Sequence, residues 1–321
     1  MPRFIRNLIS VAPLINGVVL PKEQEDAPLF GMAAAIAAYF MVSVMMVFAK
    51  LLSDHMNLLE ISFYRNAVAI LPFLLYIVIT GKKRILIIRK NKRGVFLRAT
   101  IGFLSLLLTF GAYKTMPMAD ATAFLFISSL FMPIMSVLFL KEHVGIYRWA
   151  AILCGFLGAL IMAMPTGDVN YVGISFAVSA AFLHGILGIL LRHLGKTERP
   201  ETVTFYFVFI GAVIGAIPMF WVGHIPDPTL WILILALGLA GVVTQYLLST
   251  AFKFAPASLV TLFNYTGIVW STIFGWFIWQ DWPAWPVWIG GTIVIGANVF
   301  IVLREKKLAK QNKLESVDLA P

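Results

Sequence analysis

A few polar side chains interrupt long apolar stretches of this sequence, and their types suit ligand binding. Arg65, His184, Gln245 and Asn264 each stand in a stretch that is otherwise almost entirely apolar. Guanidinium and amide groups hydrogen-bond the polar groups of a solute, and an imidazole can also take up a proton. The alternative for each residue is a hydrogen bond that joins two helices. These four residues are the first candidates for a functional site.

The pattern of the other reactive residues does not indicate catalysis. The five histidines are scattered without metal-ligand spacing, the single cysteine lies in an apolar stretch, and no glycine-rich phosphate loop occurs. Asp and Glu are missing from the middle of every apolar stretch. We therefore predict that the protein is not an enzyme and that it has no metal site and no cofactor.

The composition requires a membrane around the elements that carry these residues. Of the 321 residues, 60% are hydrophobic and only 12% are charged, whereas a soluble domain has about 25% charged residues. A soluble fold of this length could not bury so much apolar surface. The bilayer must therefore be the solvent for most of it, and we predict an all-α integral membrane fold because the apolar runs have the length of membrane-spanning helices.

Apolar runs of about 20 residues, long enough to cross a bilayer as a helix, recur along the chain. Short connections with turn residues, such as Pro226-Asp-Pro228, separate them. The pattern predicts ten transmembrane helices, at 29–52, 58–80, 94–113, 119–140, 146–165, 170–192, 203–222, 229–251, 257–280 and 284–303.

The basic residues predict the orientation of these helices. With the N-terminus in the cytoplasm, and with Arg98 counted in the loop after the second span, only Lys50, Arg65 and Lys114 of the 25 Lys and Arg fall outside cytoplasmic segments. Such a bias is typical of a bacterial inner-membrane protein. It predicts that both termini are cytoplasmic. It also explains the net charge of +10 through lipid head groups, without a nucleic-acid partner.

The second half of the sequence repeats features of the first. Lys114-Thr-Met-Pro117 recurs as Lys253-Phe-Ala-Pro256, and Phe63-Tyr64 recurs as Phe205-Tyr206. Because each copy holds five predicted spans, an odd number, the second copy must insert upside down, as in many secondary transporters. The predicted organisation is a cytoplasmic segment at 1–28 that forms a helix on the membrane surface, two five-helix repeats at 29–165 and 170–303, and a basic cytoplasmic tail at 304–321.

Several segments at corresponding places in the two repeats resemble one family. They are Glu60-Ile-Ser-Phe-Tyr-Arg65, Met118-Ala-Asp-Ala-Thr-Ala123, Leu140-Lys-Glu-His143, Ala255-Pro-Ala-Ser-Leu-Val260 and Asp281. Their order and spacing are similar to the EamA type of the drug/metabolite transporter superfamily. That resemblance implies a ten-helix transporter with a central cavity between its halves. Within the superfamily, Asn264-Tyr-Thr266 is similar to bacterial members that take up riboflavin or S-adenosylmethionine.

We expect the polar and aromatic residues at membrane depth to line this cavity. Arg65 and Lys50 are predicted to act in gating or to meet a charge on the substrate. For Arg65, the alternatives are a bond to a backbone carbonyl and an outward reach toward Glu60 or Asp54. The residues predicted to contact substrate are Tyr39, Ser129, His184, Gln245, Asn264, Tyr265 and Trp270.

The predicted function is secondary transport of a small organic metabolite by alternating access. Because no acidic residue lies at mid-membrane, we favour a neutral planar solute such as riboflavin, an amino-acid-like solute, or one with a carboxylate for Arg65. An S-adenosylmethionine carrier and an amino-acid or drug exporter of the same superfamily are the main alternatives. A channel and a membrane scaffold are more distant ones. The expected partners are the metabolite and the lipid bilayer, and the sequence leaves open a monomer or a homodimer.

Overall fold

The computed structural model describes residues 27–81, 83–115, 124–140, 144–163, 171–280 and 285–318. Within these ranges the chain forms helices and short connections, without a strand. The all-α membrane class predicted from composition is thereby confirmed. The predicted surface helix at 1–28 lies almost wholly outside the described residues, as do Glu142 and Asp281, two acidic residues of the family-like segments.

The described ranges contain a succession of helices. We number them in chain order, and two of them continue in a different helical form. The bounds are α1 Pro28–Ser53, α2 Leu58–Thr80, α3 Lys92–Thr115, α4 Ser128–Met135 with a π-helical turn at Ser136–Leu140, α5 Ile146–Ala163, α6 Tyr171–Gly195, α7 Pro200–Val222, α8 Trp231–Phe254, α9 Ala257–Leu262 with a 3-10 turn at Phe263–Tyr265, α10 Thr266–Trp279 and α11 Trp285–Asp318.

Helices α1, α2, α3, α6, α7 and α8 are long and apolar enough to cross a membrane. Each coincides with one of the predicted spans at 29–52, 58–80, 94–113, 170–192, 203–222 and 229–251. Shorter apolar helices occur at Ser128–Leu140, Ile146–Ile161 and Trp288–Arg304. Many of the outward side chains are large and apolar, and Leu75, Val78 and Phe220 are more than half exposed. Such surfaces suit contact with lipid.

The helices pack mainly against helices from the other half of the chain. The most extensive contacts join α1 to α8, α3 to α6, α5 to α11 and α2 to α7. Smaller contacts join α2 to α8, α3 to α7, α4 to α6 and α1 to α10. The largest buried cluster includes Leu259, Leu262 and Phe263 of the interrupted α9–α10 segment. The middle of the molecule is therefore built jointly by the two halves.

At one end of the α2–α7 pair, a carboxylate of the first half binds the loop that follows α7. Glu60 belongs to the N-terminal capping box of α2, where it accepts the N–H of Asn57 at 2.7 Å. Its other oxygen accepts the backbone N–H of His224 at 2.8 Å and lies 3.1 Å from His224 Nδ1. Tyr64 donates its hydroxyl to the His224 carbonyl at 3.1 Å. We call this set of contacts the Glu60 clasp.

The opposite end of the same pair has a matching arrangement with the halves exchanged. Glu198, in the turn before α7, accepts the backbone N–H groups of Arg89, Lys90 and Asn91, each at 2.8 Å. Tyr206 donates its hydroxyl to the Leu86 carbonyl at 3.0 Å. This set is the Glu198 clasp. Because α2 has 23 residues, the two clasps are about 35 Å apart along the helix pair.

Candidate functional site

A cavity of about 310 Å³ lies among the central helices. Its walls come from α1, α3, α4, α6, α8 and the α9–α10 segment, together with Arg65 of α2 and Phe207 of α7. This volume falls in the range that binds small molecules. The cavity is therefore the candidate functional site.

Most of the residues singled out in the sequence meet at this cavity, although they are far apart along the chain. They come from α1, α2, α4, α6, α8 and the 3-10 turn after α9. The predicted residues that line the cavity are Tyr39, Arg65, Ser129, His184, Gln245 and Asn264.

Tyr265, Trp270 and Lys50 are not among the described residues that line the cavity. Tyr265 follows Asn264 in a tight helical turn and so faces a different direction. Its ring is fully buried against Phe126, with the ring centroids 5.7 Å apart. Trp270 packs edge to face on Phe40 at 5.1 Å, away from the cavity wall. Lys50 is exposed in the last turn of α1.

Arg98 is a charged residue of the cavity that sequence reasoning missed. We counted it with the basic loop after the second span, but α3 begins at Lys92 and Arg98 lies nearly two turns inside it. Its side chain is only 3% exposed and lines the cavity. The signal in the sequence is the apolar segment that begins at Val95 and encloses Arg98, although the basic run before it hides this boundary.

Arg98 is held from two sides but is not saturated with hydrogen bonds. Nη2 donates to Oε1 of Gln245 on α8, and the guanidinium carbon lies 4.0 Å from the centre of the Phe207 ring. In the described part of the chain, Nε and Nη1 have no hydrogen-bond partner. A guanidinium offers five N–H donors, so several of those on Arg98 remain available.

Arg65 is still more deeply buried, with 1% of its surface exposed. Nη1 donates to Oδ1 of Asn66 at 3.0 Å, Nε lies 3.3 Å from the sulfur of Met45, and the guanidinium carbon is 5.7 Å from the centre of the Phe207 ring. The alternative of an outward pair with Glu60 is not realised. That carboxylate is committed to the Glu60 clasp.

Two glycines create the space for these side chains. A methyl group on Gly241 of α8 would lie 3.0 Å from Nε of Arg65. A methyl group on Gly102 of α3 would lie 2.7 Å from Cε2 of Phe207. Close approach of helix backbone to a neighbouring side chain is the usual use of glycine between membrane helices. Arg65 and Phe207 thus each lie against a glycine on a helix of the other half of the chain.

The helix that carries Asn264 is interrupted where it passes the cavity. The chain changes from α9 through the 3-10 turn Phe263–Tyr265 to α10. Within this turn, Nδ2 of Asn264 donates to Oγ of Ser129 at 3.0 Å, which ties the segment to α4. Ser43 of α1 donates to the Gly267 carbonyl at 3.1 Å. Interrupted helices at a central site are common in secondary transporters.

The charge around the cavity is positive. Arg65 and Arg98 line it, and none of its described lining residues is Asp or Glu. Neither arginine forms an ion pair in the described ranges. The imidazole of His184 adds a further polar group. Among the described residues, no cluster of His, Cys, Asp and Glu is suited to a metal ion.

Both halves of the chain match the same family model. Residues 29–164 and residues 171–303 each match the EamA-like transporter family. The chain belongs to this family. It is a small-metabolite transporter of the EamA type within the drug/metabolite transporter superfamily.

Several relatives of this EamA-like transporter have known names. It is 29% identical to the pseudopaline exporter of Pseudomonas aeruginosa, over 86% of this chain and 97% of the exporter. It is 28% identical to the S-adenosylmethionine uptake transporter of Rickettsia bellii, over 81% and 89% of the two chains. It is 27% identical to the riboflavin transporter of Vibrio cholerae, over 61% of this chain and 66% of that transporter.

The fold of this EamA-like transporter is also found in a crystal structure that is only 17% identical in sequence. The two structures agree with a TM-score of 0.71 over 88% of this chain and 98% of the other. The apolar helices and the bacterial relatives identify a multi-pass protein of the inner membrane.

Proposed function

We propose that this transporter is a secondary carrier that moves a small organic metabolite through the central cavity by alternating access. The observation that carries this proposal is the polar cavity of about 310 Å³, walled by both halves of the chain. In this proposal the chain has ten spans, arranged as inverted five-helix repeats at 29–165 and 170–303. The family and the names of the relatives favour transport over catalysis.

The packing of the helices supports the inverted repeat. Exchanging the halves converts the α1–α8 contact into the α6–α3 contact, and the α2–α8 contact into the α7–α3 contact. The α2–α7 and α5–α11 contacts are each converted into themselves. Tyr64 and Tyr206, which occupy corresponding positions in the two halves, bind the corresponding loops at opposite ends. A twofold relation between antiparallel halves has this pattern.

The two clasps supply a physical basis for alternating access. Each clasp joins a turn of one half to a loop of the other, and the two clasps lie at opposite ends of the α2–α7 pair. A rocking motion that opens one end must strain or release the clasp there, while the other clasp keeps the halves together. The carrier therefore exposes its cavity to one side of the membrane at a time.

The orientation follows from the charges at the Glu198 end. This clasp joins Arg89 and Lys90 to the turn that also contains Lys196 and Arg199, so basic residues of both halves gather at one end. Positive residues are retained on the cytoplasmic side of inner-membrane proteins. We therefore assign the Glu198 clasp and both chain termini to the cytoplasm.

The charge of the cavity narrows the choice among solutes. Two guanidinium groups repel a permanent cation, and no acidic side chain among the described lining residues offsets them. An S-adenosylmethionine-like cation is thereby disfavoured. A planar solute such as riboflavin, or an amino-acid-like solute that presents its carboxylate to Arg65, suits the lining better. Phe126 and Phe207 provide apolar contact area for the rest of such a molecule.

Exchange in proteoliposomes tests this function. Riboflavin, S-adenosylmethionine and aromatic amino acids are compared as labelled solutes, each with and without the same unlabelled solute inside. For Asn264→Ala and Gln245→Ala we expect roughly tenfold slower exchange at unchanged expression, because each change removes about one hydrogen bond to the solute. Asn298→Ala is the matched control, since Asn298 is buried in α11 and bonds the Val294 carbonyl outside the cavity.

A carrier accelerates uptake when solute is present on the far side, whereas a channel does not. Flux without this acceleration would therefore contradict the carrier mechanism. Wild-type kinetics in both Asn264→Ala and Gln245→Ala would remove these amides from the site. Robust uptake of S-adenosylmethionine alone would overturn the charge argument.

A further inference from the structure

We infer that the cavity recognises an oxyanion, a carboxylate or a phosphate, on its organic substrate and holds it at Arg65 and Arg98. The inference rests on the proposed function, because it names the class of solute that the carrier moves. The observations behind it are the burial of both guanidinium groups, their position on one cavity, and the free donors of Arg98.

Burial of two like charges without an anion is unfavourable. An uncompensated charge taken from water into a protein interior loses several kcal/mol of solvation. Arg98 is 3% exposed and Arg65 1% exposed, and both approach the same Phe207 ring. An anion near both groups would offset this penalty. The arrangement therefore suits a state in which a negative group occupies the cavity.

The described protein side chains do not supply that anion. Glu60 and Glu198 are the buried carboxylates of the described ranges, and both are occupied by backbone N–H groups in the clasps. None of the described lining residues of the cavity is acidic. The counter-charge at the cavity therefore falls to the solute.

The geometry around Arg98 suits an oxyanion in particular. Guanidinium groups form paired N–H bonds to the oxygens of carboxylates and phosphates. Gln245 accepts from Arg98 through Oε1, which leaves its NH₂ group able to donate to the same oxyanion. Thus Arg98 and Gln245 present donors side by side. Arg65 adds a second positive charge, with its guanidinium carbon 5.7 Å from the centre of the same Phe207 ring.

The other residues of the cavity wall indicate what the remainder of the solute is like. Leu125, Phe126, Met132 and Leu187 line the cavity and are apolar. A small organic anion with an apolar or planar body would place its oxyanion at the arginines and its body against these side chains. A bare inorganic anion would leave most of the 310 Å³ without favourable contacts.

A set of ring-matched probes tests the inference on the purified full-length protein. Benzoate, benzamide and benzamidine have nearly the same shape and carry negative, neutral and positive charge, and phenyl phosphate represents the phosphate group. Thermal unfolding in detergent is followed by tryptophan fluorescence at constant ionic strength. We expect benzoate, phenyl phosphate or both to raise the Tm of the wild type, and benzamide and benzamidine to leave it unchanged. The anion that raises the Tm more shows whether the cavity prefers a carboxylate or a phosphate.

Variants locate the effect. Arg98→Gln should weaken the apparent affinity for the protecting anion at least tenfold, and Arg98→Lys should restore part of it. Arg93→Gln is the matched control, because Arg93 lies on the same helix and loses the same charge but is exposed. Without any probe, Arg98→Gln should unfold at the wild-type temperature or above it, since a buried uncompensated charge has been removed.

The inference is overturned if neither anion protects the wild type, if benzamide or benzamidine protects equally well, or if Arg98→Gln keeps the full anion effect. These failures differ from a failure of the proposed function. Accelerated exchange of a neutral solute would retain the carrier and reject the oxyanion. Anion binding without accelerated exchange of any anion would retain the site and reject the carrier.

Discussion

The two halves of the chain are alike where they hold each other and unlike where they face the cavity. Each half contributes a buried glutamate and a tyrosine to a clasp on the other. At the cavity, by contrast, several polar residues of one half correspond in the repeat to apolar residues of the other half. The lining residues at corresponding positions of the two repeats include the pairs Arg65 with Phe207, Val42 with His184, Leu106 with Gln245, and Leu125 with Asn264.

Rocking of the two halves and binding of the substrate thus place different requirements on the repeat. Rocking between two equivalent states needs similar contacts at both ends, which a repeat supplies. Most metabolites lack twofold symmetry, so a site that binds one of them tightly must differ from side to side. Gly241 and Gly102 occupy corresponding positions in the two halves of the sequence, but a guanidinium lies against one and a phenyl ring against the other. The scaffold is thus duplicated and the chemistry is not.

The largest expected effect comes from removing the charge on one side. Arg65→Gln should lower exchange of the transported anion about 100-fold, because truncating one partner of a buried charge pair costs about 2–5 kcal/mol. Phe207→Leu, at the counterpart position, should change exchange only a few-fold, since it keeps the wall apolar. Equal losses in both variants would show that the two positions do not differ in function.

Exchanging the two residues sharpens the comparison. The double variant Arg65→Phe with Phe207→Arg keeps the charge near the cavity but moves it to the counterpart position. Relative to Arg65→Phe alone, we expect it to regain about tenfold of the lost exchange, on the order of 1.4 kcal/mol. Exchange in proteoliposomes measures this. If the second substitution regains nothing, the two positions are not interchangeable as sites for the charge.

The clasps should differ in strength despite their similarity. Glu198 accepts three backbone N–H groups and is 2% exposed, whereas Glu60 acts on a loop whose His224 side chain is 87% exposed. We expect Glu198→Ala to lower the free energy of unfolding by about 2 kcal/mol and Glu60→Ala by about 1 kcal/mol. The smaller value for Glu60 is expected because water can more easily replace its contacts with the exposed His224 loop. Chemical unfolding in detergent measures both. The reverse order would contradict the proposed difference.

The smallest effects concern the glycines. Gly102→Ala places a methyl group 2.7 Å from the Phe207 ring, so it should destabilise the protein by about 1–2 kcal/mol through overpacking. Gly241→Ala has 3.0 Å to Arg65 and should destabilise it less. Because Gly241→Ala displaces the Arg65 guanidinium, however, we expect it to slow exchange about three-fold, which is more than the effect of Gly102→Ala. Thermal unfolding and exchange are compared on the same preparations.

Much of this architecture could be predicted from the sequence because the physical signals are long. Extended apolar runs define helices, and repeated segments relate the halves. The individual site residues depend on details of one or two positions. Asn264 lies on the cavity wall, but the 3-10 turn rotates its neighbour Tyr265 into the core. Arg98 was assigned to a loop because a basic run conceals the start of α3.

Alternating access requires that the cavity open to each side of the membrane in turn. Val42 lines the cavity, and Cys154 is the protein's single cysteine, so Val42→Cys in a Cys154→Ser background carries one reporter thiol. Sealed vesicles of both orientations are treated with a small anionic thiol reagent that does not cross membranes. We predict modification from either face, slowed by the transported solute. A thiol that reacts from neither face would contradict alternating access through this cavity. So would a thiol that reacts from the same single face both with and without solute.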